Sequence, residues 1–305
     1  MTGATGGAEP SNKLTILGMV AILTTLTMWA SSYVVVRSIA LDLLPSSLAF
    51  LRIFFGALAL TVVFLGLRRR TRKTVRLGAV IWSFPMGLFL FVGFTLSQNW
   101  AGQHIDAGTI SILVNLAPLI VAIGAGMFFG EGFPWRLFLG IAVSFGGILL
   151  IVYGSSTTQF SIIGVSAGVA AAFCYGIGML VQKKALQYED SIGSTCLASW
   201  IGVLVLSPFA PQAVTEVSKV SSDLLLLIIY IGMGPMALGF WMWGYALTVL
   251  PAGQVAATSL TVPALAILLS AIFLSEVPPW IAILGGVLCI GGVLGTQKCQ
   301  SFNKK

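Results

Sequence analysis

Apolar runs follow one another along this chain with little between them, and nearly every one is long enough to cross a lipid bilayer. They lie at about 14–36, 47–66, 77–97, 107–129, 135–153, 162–183, 194–209, 224–244, 252–275 and 280–296. A spanning helix needs about 20 apolar residues, so ten spans joined by short turns account for most of the 305 residues. The composition agrees, with 8% of residues charged and 57% hydrophobic, against about 25% and 45–50% in soluble domains. So few charges cannot cover a globule of this size in water. A soluble protein, a disordered chain and a nucleic-acid binder are therefore excluded, despite the net charge of +7. The run that begins at Leu14 is too long for the core of a cleavable signal peptide, so the first span is expected to stay.

Lysine and arginine orient the spans. With the N-terminus in the cytoplasm, thirteen of the sixteen fall on that side: Lys13, the cluster from Arg68 to Arg76, Arg136, Lys183, Lys184, Lys298, Lys304 and Lys305. Only Arg37 and Lys219 fall outside, and Arg52 lies within a span. Positive charge collects on the cytoplasmic side of membrane proteins, and one span more or fewer would scatter this set. The fold class expected is an all-α polytopic membrane protein with ten transmembrane helices and both termini cytoplasmic, in the inner or plasma membrane. Four cysteines (Cys174, Cys196, Cys289 and Cys299) have no paired spacing, so neither a disulfide framework nor a metal site is expected, and no cofactor.

The sequence also matches itself at an offset of 145. Between Ala101 and Leu149, thirteen of 49 positions are identical to their partners. The pairs include Pro118/Pro263, Glu131/Glu276, Pro134/Pro279, Trp135/Trp280 and Gly146/Gly291. Apolar bias pairs leucines with isoleucines, but it does not align proline, glutamate and tryptophan in one register. The expected units are a tail at 1–13, a five-helix repeat at 14–153, a second at 162–297 and a tail at 298–305. Five is odd, so the second repeat crosses the membrane in the opposite sense. Inverted repeats of this kind recur in alternating-access carriers, which bind substrate near the midplane between the halves.

Several segments together resemble the EamA-type branch of the drug/metabolite transporter superfamily: Trp29-Ala-Ser-Ser-Tyr33, Arg52 early in the second span, and the doubled Ala107-Gly108, Pro118 and Glu131 pattern leading to Trp135. The resemblance covers roughly residues 14–297. It implies ten helices, cytoplasmic termini, a central cavity shared by the halves, and export of small organic solutes such as amino acids or related metabolites.

Polar groups within spans are costly and normally face a cavity or another helix. Arg52, the one ionised side chain well inside a span, is the leading candidate. It either holds a substrate carboxylate by a bidentate pair, or snorkels outward or pairs with Asp42 or Asp106. Trp29, Tyr33, Tyr175 and Trp241 are candidates for an aromatic cavity wall. Trp100, Trp243 and Tyr245, near span ends, read instead as interfacial belt residues. Ser111, Asn115 and Pro118 share one helical face, as do Gln254, Thr258 and Thr261. Of these, Ser111, Asn115 and Gln254 are taken as substrate-binding candidates, with Gln98 and Asn99 near the cavity mouth. The threonines also read as interhelical glue.

Absences bear on the substrate. No Asp or Glu lies in the middle of a span, so coupling through an embedded carboxylate, as in the small multidrug-resistance relatives, is unsupported. The plastid sugar-phosphate branch of the superfamily neutralises phosphate with basic residues, including in the last span. Here that span has no Lys or Arg before Lys298, so the resemblance disfavours sugar phosphates. An efflux carrier for cationic or amphipathic drugs is the alternative. A remote one is an intramembrane serine protease using Ser166 in Gly164-Val-Ser166-Ala-Gly168 with His104, although the same motif reads as small-residue helix packing. A non-enzymatic transporter is the reading adopted, with a small-molecule substrate and the lipid bilayer as its partners and a monomer sufficient.

Overall fold

Long runs of Leu, Ile, Val, Ala and Phe in a bilayer must satisfy their backbone groups internally, which helices do. In the computed structural model of the chain, every regular element among the described residues is accordingly helical. The structure describes residues 12–68, 76–128, 161–249 and 258–291 apart from 282 and 289, together with parts of 139–150. Much of the expected fifth span at 135–153, the Arg68–Arg76 cluster save its ends, and the last residues of the tenth span lie outside them.

The helices are α1 (Asn12–Ile39), α2 (Pro45–Arg68), α3 (Leu77–Gly102), α4 (Ala107–Val114), α5 (Ala117–Phe128), α6 (Ile162–Ala185), α7 (Ser191–Val217), α8 (Ser222–Val249) and α9 (Val262–Phe273). Six of these, α1, α2, α3, α6, α7 and α8, are long and apolar enough to cross a membrane, and the chain is an integral membrane protein. Side-chain oxygens set several starts by accepting orphan backbone N–H groups. Asp106 caps α4 through Thr109 N at 2.8 Å, Asp190 caps α7 through Gly193 N at 2.8 Å, and Ser161 caps α6 through Gly164 N at 3.1 Å.

Two expectations need correction. The fourth span is not one helix: it breaks at Asn115 and Leu116, between α4 and α5. Pro118 has no N–H to offer the carbonyl of Val114 four residues back, so the proline opens α5 rather than kinking a continuous span. Pro263 does the same in the second half, where a 3-10 turn at Ser259–Thr261 precedes α9. The seventh span runs well past its expected end, because a 3-10 turn at Ser207–Phe209 accommodates Pro208 and Ala210–Val217 continues.

The internal repeat is visible in irregularities as well as in helices. α3 carries a π stretch at Gly87–Gly93 and α8 one at Gly232–Gly239. Both begin at the same repeat position, and the breaks before α5 and α9 coincide in the same way. The halves interlock: α3 packs along α6 and α7, while α8 packs along α1 and α2. Likewise α5 packs on α6, and α9 on α1. The two π stretches start on glycines because the opposite half comes too close for a side chain. A Cβ on Gly87 would lie 2.7 Å from the Ala198 carbonyl oxygen, and one on Gly232 2.8 Å from that of Arg52.

Candidate functional site

Because the halves interlock, residues of both converge on one cavity. From the first half come Trp29, Ser32 and Tyr33 on α1, Arg52 on α2, Phe94 and Gln98 on α3, Val114 and Asn115 at the helix break, and Pro118 on α5. The second half adds Tyr175 on α6, Pro235, Met236 and Phe240 on α8, and Ser259 and Val262 at the second break. Irregular backbone thus meets the cavity three times, at both helix breaks and at the π stretch of α8. In membrane proteins such backbone is tolerated where it lines a cavity.

Arg52 is 2% exposed and sits among neutral oxygens. Its Nη1 donates to Asn99 Oδ1 at 2.5 Å, and its Nη2 to Gln98 Oε1 at 3.1 Å and Ser32 Oγ at 3.2 Å. Asn99 in turn donates from Nδ2 to the Pro45 carbonyl at 3.1 Å, fixing the amide that receives the guanidinium. Neither aspartate considered as a partner is in this network. Asp106 is engaged by the α4 cap, through Thr109 N and Thr109 Oγ1. Arg52 Nε and Trp29 Nε1, both buried donors of the lining, have no acceptor among the described residues.

The opposite wall is aromatic. Trp29 meets Tyr175 edge to face with ring centres 5.8 Å apart, and tilts against Phe240 at 5.4 Å and Trp243 at 5.0 Å. Phe94 packs on Tyr175 at 5.2 Å. Such offset contacts are the favoured geometries of aromatic pairs, and they join α1, α3, α6 and α8 around the cavity.

The structure brings together Arg52, Trp29, Tyr33, Asn115, Tyr175 and Gln98 of the residues singled out from the sequence. Trp241 is elsewhere. Successive helical residues point about 100° apart, so with Phe240 facing the cavity, Trp241 packs on Leu60, Ile192, Cys196 and Ala237. Ser111 is buried behind the break, donating to the Gly108 carbonyl at 2.6 Å while its own carbonyl accepts from Asn115 Nδ2 at 2.9 Å. Gln254 lies outside the described residues. Trp243 is not a belt residue: it is buried against Trp29. Ser32, Phe94, Met236, Phe240 and Ser259 line the cavity without having been singled out. Spacing held a hint only for Phe94, which stands four residues, about one turn, before Gln98 on α3.

Ser166 and His104 do not form a pair. Ser166 is exposed and donates to the Ile163 carbonyl at 3.0 Å, while the His104 ring nitrogen meets the Trp100 carbonyl at 2.9 Å. Among the described residues no three of His, Cys, Asp or Glu gather as metal ligands.

Residues 16–153 and 162–297 each match the model of the EamA-like transporter family. The chain is 30% identical over 279 residues to a protein of Streptantibioticus cattleyicolor named "Probable terminal-alkyne amino-acid exporter", covering 90% of this chain and 91% of that protein. It is 27% identical to the transporter YdfC of Bacillus subtilis over 293 residues, 96% of this chain and 95% of the other. A "Probable amino-acid metabolite efflux pump" of Escherichia coli is 23% identical over 287 residues, 90% of this chain and 93% of that one. One solved crystal structure superposes with a TM-score of 0.60 at 16% identity, spanning 96% of this chain and 99% of its own, a likeness of fold.

Proposed function

The chain belongs to the EamA-like transporter family, and from that premise we propose that it exports small organic solutes bearing a carboxylate, amino acids or related metabolites, by alternating access. The observation that carries this reading is Arg52, buried among neutral oxygens on the wall of a cavity built by both halves. A carboxylate entering that cavity loses water, and a guanidinium held in place replaces the lost interactions with charge-assisted hydrogen bonds. The aromatic wall receives the apolar part of the solute. The names of the Streptantibioticus and Escherichia relatives point to the same class of cargo.

In this reading ten spans carry the chain through the inner or plasma membrane with both termini in the cytoplasm. The thirteen-to-two charge bias supports that orientation. The bilayer and the solute are its partners, and one chain suffices for the cavity. The aromatic cluster favours a second reading, efflux of cationic amphipaths through cation–π contacts, which the charge of Arg52 opposes.

Counterflow into proteoliposomes, with amino acids, polyamines and quaternary ammonium compounds offered in parallel, tests the proposal. Amino acids or their relatives should accumulate and polyamines should not. Arg52→Lys keeps the charge but loses the planar fork, so affinity should fall by roughly ten- to hundredfold, as expected for losing a charge-assisted hydrogen bond of about 1.5–3 kcal/mol. Arg52→Gln should be worse. Accumulation of the cations alone, indifferent to Arg52, refutes the proposal.

A further inference from the structure

The charges around the cavity are one-sided. Of the nine acidic residues in the sequence, the seven described all stand at helix ends or in loops. Asp106 and Asp190 cap helices, and Glu276 pairs with Arg37 at 3.0 Å. Glu216 accepts from Leu44 N at 3.0 Å, and Asp42, Glu189 and Asp223 lie in the turns around α1, α6 and α8. None of the seven lines the cavity. Glu9 and Glu131 lie outside the described residues.

The acceptors nearest the guanidinium are already engaged, since Ser32 Oγ, Gln98 Oε1 and Asn99 Oδ1 all receive its protons. The buried polar atoms of the lining that lack a partner are N–H groups, Arg52 Nε and Trp29 Nε1. Both atoms are enclosed by protein, so what the cavity leaves open is the charge of the guanidinium, which no described carboxylate of the lining balances, and a ligand carrying one negative charge completes it.

An α-ammonium group fits this charge distribution poorly. It is repelled by the guanidinium it must approach, and taking it out of water without a counter-charge is expensive. We propose that the cavity selects amphipathic monocarboxylates without an ammonium group, such as N-acylated or deaminated amino acids, over the zwitterionic amino acids themselves. This rests on the reading of Arg52 as a carboxylate anchor and narrows it to a net charge of −1 on the cargo. The relation to amino-acid export is then one of chemistry. The reactions that supply such cargo are those that acylate or remove an α-amino group.

Four ligands with one phenyl side chain isolate the charge: 3-phenylpropionate and N-acetylphenylalanine as monoanions, phenylalanine as zwitterion, and phenylalaninamide as cation. Affinities come from ligand-dependent melting shifts of the full chain purified in detergent, since a ligand that binds the folded state raises its stability by mass action. Each ligand is also assayed for uptake into proteoliposomes.

Both monoanions should bind at least tenfold tighter than phenylalanine, with the amide weakest. Phenylalanine binding as tightly as 3-phenylpropionate overturns the proposal, as does the absence of binding by all four. Asn99→Asp sets a carboxylate against Nη1 in place of the amide and should erase the preference for anions. A preference that survives in this variant overturns the assignment to Arg52. Monoanions that bind with the stated preference but are not carried would refute the transport reading while leaving the charge selectivity intact. Zwitterions bound and carried in preference would do the reverse.

Discussion

Two of the oxygens around Arg52 carry unequal weight, and the geometry says how unequal. Nη2 has two acceptors, so losing Ser32 Oγ leaves it bonded to Gln98, whereas Nη1 has only Asn99 among its hydrogen bonds. Asn99 also ties α3 to the start of α2 through the Pro45 carbonyl. Asn99→Ala therefore strands a buried charged donor and should lower stability by about 1.5–3 kcal/mol, while Ser32→Ala should cost clearly less. Melting of the two purified variants checks this, and equal shifts would mean that the network is not organised around Asn99. At this scale the sequence is legible where a residue contradicts its surroundings. An arginine inside an apolar run is conspicuous, and so are Gln98 and Asn99 side by side. Ser32 is not, because small polar residues are common in spans. Trp243 is misplaced by sequence reasoning for a related reason: distance from the end of a run says nothing about which way a ring points.

Among the elements, the features that shape the cavity are irregularities, and they occur in pairs. The breaks before α5 and α9 follow from Pro118 and Pro263, each of which withholds the N–H that a carbonyl four residues back requires. Those prolines stand out in the repeat, so the positions of the breaks were available from the sequence. The π stretches were not. They depend on how closely the other half approaches, which no periodicity within α3 or α8 records. Gly232 tests this. Its Cβ would lie 2.8 Å from both the Arg52 carbonyl oxygen and Phe55 Cβ, atoms on a helix that can yield only by shifting. Gly232→Ala should therefore destabilise by about 1–3 kcal/mol as overpacking does. Gly66→Ala, with nothing within 4 Å of the added Cβ, should instead gain up to about 0.5–1 kcal/mol from helix propensity. Melting temperatures that move in opposite directions are expected. A tolerated Gly232→Ala would mean that α2 and α8 slide freely past each other.

At the scale of the molecule, the register of the two repeats can be read from the sequence but their interlocking cannot, because helices apolar on every side do not announce their neighbours. The consequence is an ion pair that only the assembled halves create. Arg37 Nε reaches Glu276 at 3.0 and 3.3 Å, and its Nη1 donates to the Gly102 carbonyl at 2.9 Å. Arg37 stands one turn beyond Tyr33 on α1, and Gly102 one turn beyond Gln98 on α3, so the pair closes the cavity about 6 Å further along both helices. The repeat partner of Arg37 is Gln182, a neutral and fully buried side chain, so the arginine of this pair is not duplicated in the second half. If the halves rock about the cavity, the pair must part each time its end of the cavity opens. The positive-inside reading makes it the outer end. A cysteine at Val262, a cavity-lining position, then reports on opening through its labelling by an impermeant maleimide added outside cells whose other cysteines have been removed. With side chains 18% and 31% exposed, the pair is screened by solvent and contributes at most about 1 kcal/mol. Glu276→Gln should therefore speed labelling up to about fivefold. Arg37→Glu should do so at least as strongly, and the double exchange Arg37→Glu with Glu276→Arg should restore the slow rate. Control cysteines within 68–76 should label only from the cytoplasm, and those within 155–159 only from outside, so a reversed topology would reveal itself in the same cells. A rate unchanged by all three variants would leave Arg37 and Glu276 as a surface contact with no part in opening the cavity.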